Sequence, residues 1–484
     1  MLHFFKMRRF LILFLLLLFL LSGTCAVWAV VNTHDLQSVW QKPGLSASHT
    51  GIQVISLKSG KSVFTHNANL ALMPASNMKL ITSAAALSLL KPEFTFKTLI
   101  LSDGPIRGGV LKGNLYLKGL GDPDLTDERL AQLASDIRYL GVQRIEGRLF
   151  ADDSYFDAQR QGEGWKNSYG ASAYSAHISA LSLNRNTVDV WIRPGAPGQP
   201  AEVALDPPNH YFEVLNQTQT GGRTRLQIAR TMNGRGRNLV TVSGSVAAHS
   251  RPEKESINLE NPALYAGFVF QNLLQKAGVA VSGPVEAKKV PAGALEIART
   301  ESRPLRDIVG ELNKHSVNLI AENLLKYMGA VFEGEPGTAA KGAQVIHERF
   351  LKQKVQVDSL KANIRIADGS GLSPLNRLSA DVLTRVLIYM QGQFDVGVDY
   401  VSSLAISGVD GTLHARLNSA DLKRRIRAKT GFINSASSLS GYVYTQKNET
   451  LAFSFLMNHF TGVYAARSSQ DSLCQQLIHW AAPQ

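Results

Sequence analysis

A change of hydrophobic period, from mainly helical to strand-like and back, divides this sequence into three regions. A hairpin and an apolar helix are predicted before residue 97, and helical spacing returns at about residue 304. Between them, short alternating stretches are separated by loops rich in Gly, Pro, Asn and Asp. Three strands at about residues 426–456 and a final helix end the chain. The pattern predicts α and β structure on both sides of a middle region of one or two mainly β modules.

The expected boundaries follow this change of pattern. Residues 33–96 and 298–484 flank a mainly β insertion at residues 97–297. The insertion is long enough for two subdomains. We expect these subdomains at residues 97–184 plus 262–297, and at residues 185–261.

The N-terminus has the three-part pattern of a secretory signal. The chain begins with a basic part that contains Lys6, Arg8 and Arg9, and an unbroken apolar run follows it. Small and apolar residues come next and end in Val27-Trp28-Ala29. We predict a signal peptide at residues 1–29. A retained membrane anchor is the alternative, because the apolar stretch is just long enough to span a bilayer. Either form places the rest of the chain outside the cytoplasm, in the periplasm or cell envelope.

Charge and cysteine content narrow the set of partners. The formal net charge is +13, which suits nucleic acid, an anionic surface or an acidic substrate. Export and the lack of a basic stripe interleaved with aromatic residues exclude nucleic acid as a partner. The positive charge is compatible with loose membrane association.

Of the two cysteines, Cys25 lies in the signal region and Cys474 near the C-terminus. A processed chain therefore has no internal disulfide.

A possible nucleophile stands at the start of the most apolar predicted helix, in the sequence Ser76-Asn77-Met78-Lys79. At positions i and i+3, the Ser76 and Lys79 side chains lie on one helix face. Burial and the helix N-terminus both lower the pKa of a lysine, which makes it a base that can activate a serine hydroxyl. A helix cap followed by a surface lysine has the same short pattern.

Two further short motifs occur in the C-terminal half. Ser316-Val317-Asn318 offers a hydroxyl for proton relay and an amide for a substrate carbonyl; its alternative is an N-cap. Lys429-Thr430-Gly431 is predicted on a strand, where it offers a cation and a hydroxyl to a carboxylate and a glycine that allows close backbone approach. Its alternative is an edge-strand lysine beside a glycine bulge.

The order and setting of the three motifs resemble the penicillin-interacting serine enzymes, the class of D-Ala-D-Ala peptidases and serine β-lactamases. About 240 residues separate the first two motifs, and this large insertion is similar to that of the class C low-molecular-mass penicillin-binding proteins. The resemblance covers nearly the whole mature chain. It implies an α/β, penicillin-binding transpeptidase-like (serine β-lactamase-like) fold, formed by residues 33–96 together with residues 298–484 and interrupted by the insertion.

The resemblance also implies the role of each motif. Ser76 would be the nucleophile, Lys79 its general base and Ser316 the proton relay to the leaving amine. Asn318 would hold the acyl-side amide of the substrate. Lys429 and Thr430 would bind the terminal carboxylate, and Gly431 would let the substrate backbone lie close. The backbone N–H groups of Ser76 and Phe432 would form the oxyanion hole. No cofactor or metal is implied.

Other strings typical of that family are mostly turns. Those expected to border the cleft contribute Asp368, Gly369, Ser370 and Asp410. Two departures concern specificity: Trp165-Lys166-Asn167-Ser168 stands where the family often has acidic residues, and Pro374 stands where a basic residue is common.

The predicted function is that of a serine-type D-Ala-D-Ala carboxypeptidase or endopeptidase. It would act on peptidoglycan stem peptides or cross-links through an acyl-enzyme on Ser76, and β-lactam antibiotics would inhibit it. A serine β-lactamase shares the motifs, and a non-catalytic cell-envelope binding protein is the alternative of a different class. Neither Gly-x-Ser-x-Gly nor His-Glu-x-x-His occurs in the chain.

Overall fold

The structure is a computed structural model and describes residues 33–481. The predicted signal peptide, residues 1–29, lies outside the described residues. Within the part that is described, no helix has both the length and the apolar character needed to cross a bilayer.

The helices of the described chain are α1 (Thr33–Trp40), α2 (Met78–Leu90), α3 (Asp127–Tyr139), α4 (Pro262–Lys276), α5 (Leu305–His315), α6 (Asn318–Glu333), α7 (Ala339–Val345, continued by a π-helical segment Ile346–Val355), α8 (Ala380–Gln391), α9 (Gly397–Ser403) and α10 (Val463–Leu477). The strands are β1 (Thr50–Ser56), β2 (Ser62–His66), β3 (Lys97–Ser102), β4 (Ile106–Arg107), β5 (Val110–Leu111), β6 (Leu115–Gly119), β7 (Arg144–Ile145), β8 (Leu149–Asp152), β9 (Thr187–Arg193), β10 (Glu202–Asp206), β11 (Phe212–Thr220), β12 (Arg225–Met232), β13 (Asn238–Val246), β14 (Glu253–Asn258), β15 (Ala280–Val281), β16 (Glu286–Ala287), β17 (Leu295–Glu301), β18 (Ala405–Ile406), β19 (Ile426–Ile433), β20 (Ala436–Tyr444) and β21 (Thr450–Asn458).

A six-stranded antiparallel sheet joins the two ends of the chain. Its strand order is β18-β19-β20-β21-β1-β2, and β1 pairs with β21 so that Val54 lies opposite Phe453. The three predicted C-terminal strands are confirmed as β19 to β21, and the predicted final helix is confirmed as α10. The segments before and after the insertion therefore build one sheet.

Helices cover both faces of this sheet. On one face, Leu36 and Trp40 of α1 pack with Leu473 of α10 against the strands. On the other face, α2 packs among α5, α6 and α8. Helix α2 has almost no polar face and is surrounded on all sides. Every residue from Met78 to Ser88 is therefore buried.

The inserted region forms its own sheets and core. Strands β3 and β17, at its two ends, pair antiparallel within a five-stranded sheet of order β16-β8-β6-β3-β17. Two three-stranded sheets, β10-β9-β14 and β11-β13-β12, lie within residues 187–258. One apolar cluster contains residues from both expected subdomains, and the division between the subdomains stays a prediction.

Two long helices of the inserted region were not identified from the sequence. Helix α3 is capped by Thr126, whose side chain accepts the N–H of Arg129. Helix α4 is capped by Asn261, with Pro262 in its first turn. The two helices pack against each other, so the insertion is a mixed α and β structure in which strands predominate.

Candidate active site

The Ser76 hydroxyl stands on a tight turn directly before α2. A 3₁₀ turn, Ala75–Asn77, precedes the helix, and Ala75 has a φ of +46°. The turn leaves Ser76 half-buried, whereas Lys79, one turn further, is fully buried. Their side chains meet, with Nζ of Lys79 3.0 Å from Oγ of Ser76.

Lys79 is held by three acceptors. Besides the Ser76 hydroxyl, its Nζ donates to Oδ1 of Asn318 at 2.6 Å and to the carbonyl of Ser370 at 2.6 Å. Burial lowers the pKa of Lys79 to about 7, although the Asp368 and Glu322 carboxylates oppose this shift. Near neutral pH, a large fraction of the amine is therefore unprotonated and able to accept a proton from Ser76.

Glu322 lies on α6, beneath the loop that faces Lys79. Its two carboxylate oxygens accept the backbone N–H groups of Gly369 at 3.1 Å and Ser370 at 2.8 Å. Burial, followed by the nearby Asp368 charge, raises the pKa of Glu322. Sequence reasoning missed this residue, although a carboxylate four positions after Asn318 on a buried helix face is a usable signal.

Asp368 organises the same loop. It accepts hydrogen bonds from the backbone N–H groups of Gly371 at 2.7 Å and Ser373 at 2.6 Å, and from Nδ2 of Asn376 at 2.7 Å. The indole Nε1 of Trp165, from the inserted region, donates to it at 2.9 Å. The contact ties the inserted region to the loop that presents the Ser370 carbonyl to Lys79.

The Ser316 hydroxyl and the Asn318 amide come from the junction of α5 and α6. Ser316 caps α5 in the left-handed conformation, with φ of +60°, and it lines the same cleft as Ser76. Asn318 accepts from Lys79 and donates through Nδ2 to the backbone carbonyl of Tyr174 at 2.7 Å. The neighbouring His315 is exposed.

Strand β19 brings the third motif to the nucleophile. Lys429 is fully buried and its Nζ donates to the carbonyl of Thr430 at 2.8 Å. Burial, with the nearby Lys79 charge, holds the pKa of Lys429 well below its usual range. The Thr430 hydroxyl lies in the cleft, 2.8 Å from the hydroxyl of Thr412. Thr412 belongs to the turn at residues 409–413, which is predicted from the sequence to border the cleft.

Gly431 allows β19 to lie against the nucleophile turn. A Cβ placed on it would lie 2.8 Å from the backbone nitrogen of Ser76 and would also overlap the Ser438 hydroxyl. Phe432, whose N–H is the second expected oxyanion donor, follows Gly431 on β19. The side chain of Phe432 is 46% exposed at the cleft.

Of the residues expected to border the cleft, Asp368, Gly369 and Ser370 lie behind it. Asp368 and Ser370 are fully buried, and Gly369 is packed against Ala321 of α6. Asp410 is partly exposed but does not line the cleft. It accepts from Nζ of Lys314 at 2.5 Å and from the N–H of Ile406 at 2.7 Å, so its side chain bonds the supporting loops.

The cleft itself has a volume of about 960 Å³ and is open to solvent. Ser76, Ser316, Thr412, Thr430 and Phe432 line one part of it, and α10 forms the opposite wall. Among residues 33–481, no group of three or more His, Cys, Asp and Glu side chains is placed to hold a metal ion.

Sequence comparisons relate this chain to known carboxypeptidases. Residues 32–480 match the sequence model of the "D-Ala-D-Ala carboxypeptidase 3 (S13) family". A D-alanyl-D-alanine carboxypeptidase of an Actinomadura species is 33% identical over 465 residues, 93% of this chain and 85% of that protein. The D-alanyl-D-alanine carboxypeptidase DacB of Haemophilus influenzae is 26% identical over 468 residues, 94% of this chain and 95% of that protein.

Solved structures give the same result. The crystal structure of penicillin binding protein 4 (dacB) from Haemophilus influenzae superimposes with a TM-score of 0.80 at 25% identity, covering 93% of this chain and 99% of that chain. The same protein complexed with a β-lactam gives a TM-score of 0.73 at 25% identity, covering 93% and 98%. The family match over almost the whole chain, together with the 33% identity, shows that this protein belongs to the D-Ala-D-Ala carboxypeptidase 3 (S13) family.

Proposed function

We propose that this protein is a serine-type D-Ala-D-Ala carboxypeptidase and endopeptidase that acts on peptidoglycan peptides through an acyl-enzyme on Ser76. The observation that carries the proposal is the contact between the Ser76 hydroxyl and a buried Lys79 whose pKa is about 7. The family membership and the named carboxypeptidase relatives support the substrate class.

Acylation begins when neutral Lys79 takes the proton of the Ser76 hydroxyl. Oγ then attacks the carbonyl carbon of the penultimate D-Ala, and the developing oxyanion accepts hydrogen bonds from the N–H groups of Ser76 and Phe432. Ser316, which shares the cleft with Ser76, passes a proton to the leaving amine. The C–N bond breaks and D-Ala, or the D-amino acid of a cross-link, departs.

Deacylation uses the same groups with water as the nucleophile. Water loses a proton to Lys79 and attacks the ester carbon, and Ser76 leaves as the alkoxide and recovers the proton. With a β-lactam, attack by Ser76 opens the ring, but the amine stays attached to the acyl group. The covalent adduct therefore accumulates, and β-lactams inhibit the enzyme.

Substrate recognition follows from the exposed polar groups. The hydroxyls of Thr430 and Thr412 bind the terminal carboxylate, whose negative charge favours the protonated form of the buried Lys429. Asn318 holds the acyl-side amide by exchanging its bond to the Tyr174 carbonyl for the substrate. The enzyme is exported through residues 1–29 and works in the periplasm or cell envelope.

The test is release of D-alanine from an N-acylated peptide that ends in D-Ala-D-Ala. The native protein releases D-alanine, whereas Ser76→Ala reduces the rate at least about a thousandfold. Ser402→Ala, a change at an exposed serine on α9, leaves the rate unchanged and serves as the matched control. Equal rates for the native protein and Ser76→Ala would overturn the proposal, and so would a native protein without turnover.

A further inference from the structure

The cleft extends well beyond the reacting groups. Its walls include Ser316 and Thr430, which serve the leaving amine and its carboxylate in the proposed mechanism. Asn318, which holds the acyl-side amide in that mechanism, is not part of these walls. The additional space therefore adjoins the groups that serve the leaving amine.

The volume of about 960 Å³ is at the upper end of pockets that hold drug-sized ligands. A single D-alanine would fill a small part of it. The remainder lies between the loop that contains Thr412 and Arg416 and the first turns of α10. Tyr464, at the start of α10, is 82% exposed on this wall. The space is thus shaped for a leaving group much longer than one amino acid.

One cation on this wall is available for a ligand. Arg467 of α10 is exposed, and its guanidinium carbon lies 5.5 Å from the ring centroid of Phe432. Within the part of the chain that the structure describes, no carboxylate oxygen lies within 4.0 Å of its guanidinium. The neighbouring Arg416, in contrast, is already bound to Asp471 at 2.8 Å and to Gln470 at 2.8 Å.

We propose that Arg467, Phe432 and Tyr464 form a subsite for the second peptide of a cross-linked substrate. Arg467 binds a carboxylate of that peptide, and the two aromatic rings pack against its aliphatic portion. The inference rests on the proposed function. The reaction is the same as with the single peptide. The amide bond breaks, the amine that leaves is part of the second peptide instead of D-alanine, and it takes up a proton. Water then hydrolyses the acyl-enzyme.

The test compares two substrates with Arg467→Gln: a cross-linked peptide dimer and a single peptide ending in D-Ala-D-Ala. We expect kcat/KM for the dimer to fall about tenfold, because a charge-assisted hydrogen bond is lost. The single peptide and benzylpenicillin, which do not reach Arg467, keep their rates. Arg467→Lys, which retains the charge, restores part of the loss.

Arg349→Gln is the matched control. The guanidinium carbon of Arg349 lies 5.2 Å from the ring centroid of Phe332, and Arg349 does not line the cleft. An equal loss for both substrates, or a loss for neither, would overturn the subsite. A native protein that hydrolyses the single peptide but not the dimer would overturn the subsite and the endopeptidase activity, and would leave the carboxypeptidase activity intact. A native protein without penicilloyl adduct or D-alanine release would overturn both.

Discussion

Replacement of Gly431 by alanine adds one methyl group where β19 meets the nucleophile turn. The new Cβ would lie 2.8 Å from the backbone nitrogen of Ser76 and 3.1 Å from Cβ of Ala75, and would overlap the Ser438 hydroxyl. Ordinary contacts of this kind are about 3.5–4.0 Å long. The strand and the turn must therefore separate by roughly 0.5–1 Å.

This separation affects the oxyanion hole directly, because its two N–H donors belong to the two segments that move apart. Ser76 is on the turn, and Phe432 follows Gly431 on the strand. Loss of one such donor typically lowers a rate by about a hundred- to a thousandfold. We expect the second-order rate of acylation by benzylpenicillin to fall by this factor, as measured by the time course of adduct mass. Thermal unfolding would show that the variant is folded.

Gly310→Ala is the control for a glycine-to-alanine change. Gly310 lies inside α5, and an added Cβ would have no atom within 4 Å apart from its own helix. The change should stabilise the helix by about 0.5–1 kcal/mol and leave acylation unchanged. If folded Gly431→Ala were acylated within threefold of the native rate, the assignment of the hole to these two segments would be refuted.

Two further predictions concern the groups around the base. Because Lys79 acts unprotonated and has a pKa of about 7, the acylation rate should rise about tenfold per pH unit below pH 7 and level off above it. A pH profile of the acylation rate that is flat from about pH 5.5 to 8.5 would contradict the role of Lys79 as base. Trp165→Phe removes the indole donor from the buried Asp368, so the free energy of unfolding should fall by about 1–3 kcal/mol; an unchanged denaturant midpoint would show that this contact contributes nothing.

The local features of the site could be predicted from the sequence. The i, i+3 spacing predicts that Lys79 meets Ser76, and in the structure Nζ of Lys79 lies 3.0 Å from Oγ of Ser76. The alternation of apolar residues predicts the C-terminal strands, and the unbroken apolar surface of α2 predicts its burial. Each of these inferences depends on neighbours in sequence, where helix and strand geometry fixes which side chains share a face.

Contacts between distant segments could not be predicted in the same way. Glu322 and the loop at Asp368 meet beneath Lys79 only after α6 has packed beside α2. The motif suggests that Lys429 faces the substrate directly, yet its side chain is buried and turned to the Thr430 carbonyl. Thr412 instead reaches the cleft, because the turn after Asp410 brings it beside Thr430.

The missed helices have a different explanation. The sequence of α3 is polar on average, and turns rich in Gly, Asp and Pro surround it, so the strand-like stretches dominate the region. The caps Thr126 and Asn261-Pro262 were nevertheless readable signals for α3 and α4. These caps predict where both helices begin.

The central claim is that Ser76 is the acylated nucleophile. Its most direct test is intact-mass spectrometry of the soluble protein after incubation with benzylpenicillin, followed by mapping of the modified peptide. The account predicts one stable penicilloyl group, carried by the peptide that contains Ser76, and none on Ser76→Ala. An unmodified protein beside intact antibiotic, or an adduct on another residue, would contradict it, and rapid destruction of the antibiotic without adduct would indicate a β-lactamase instead.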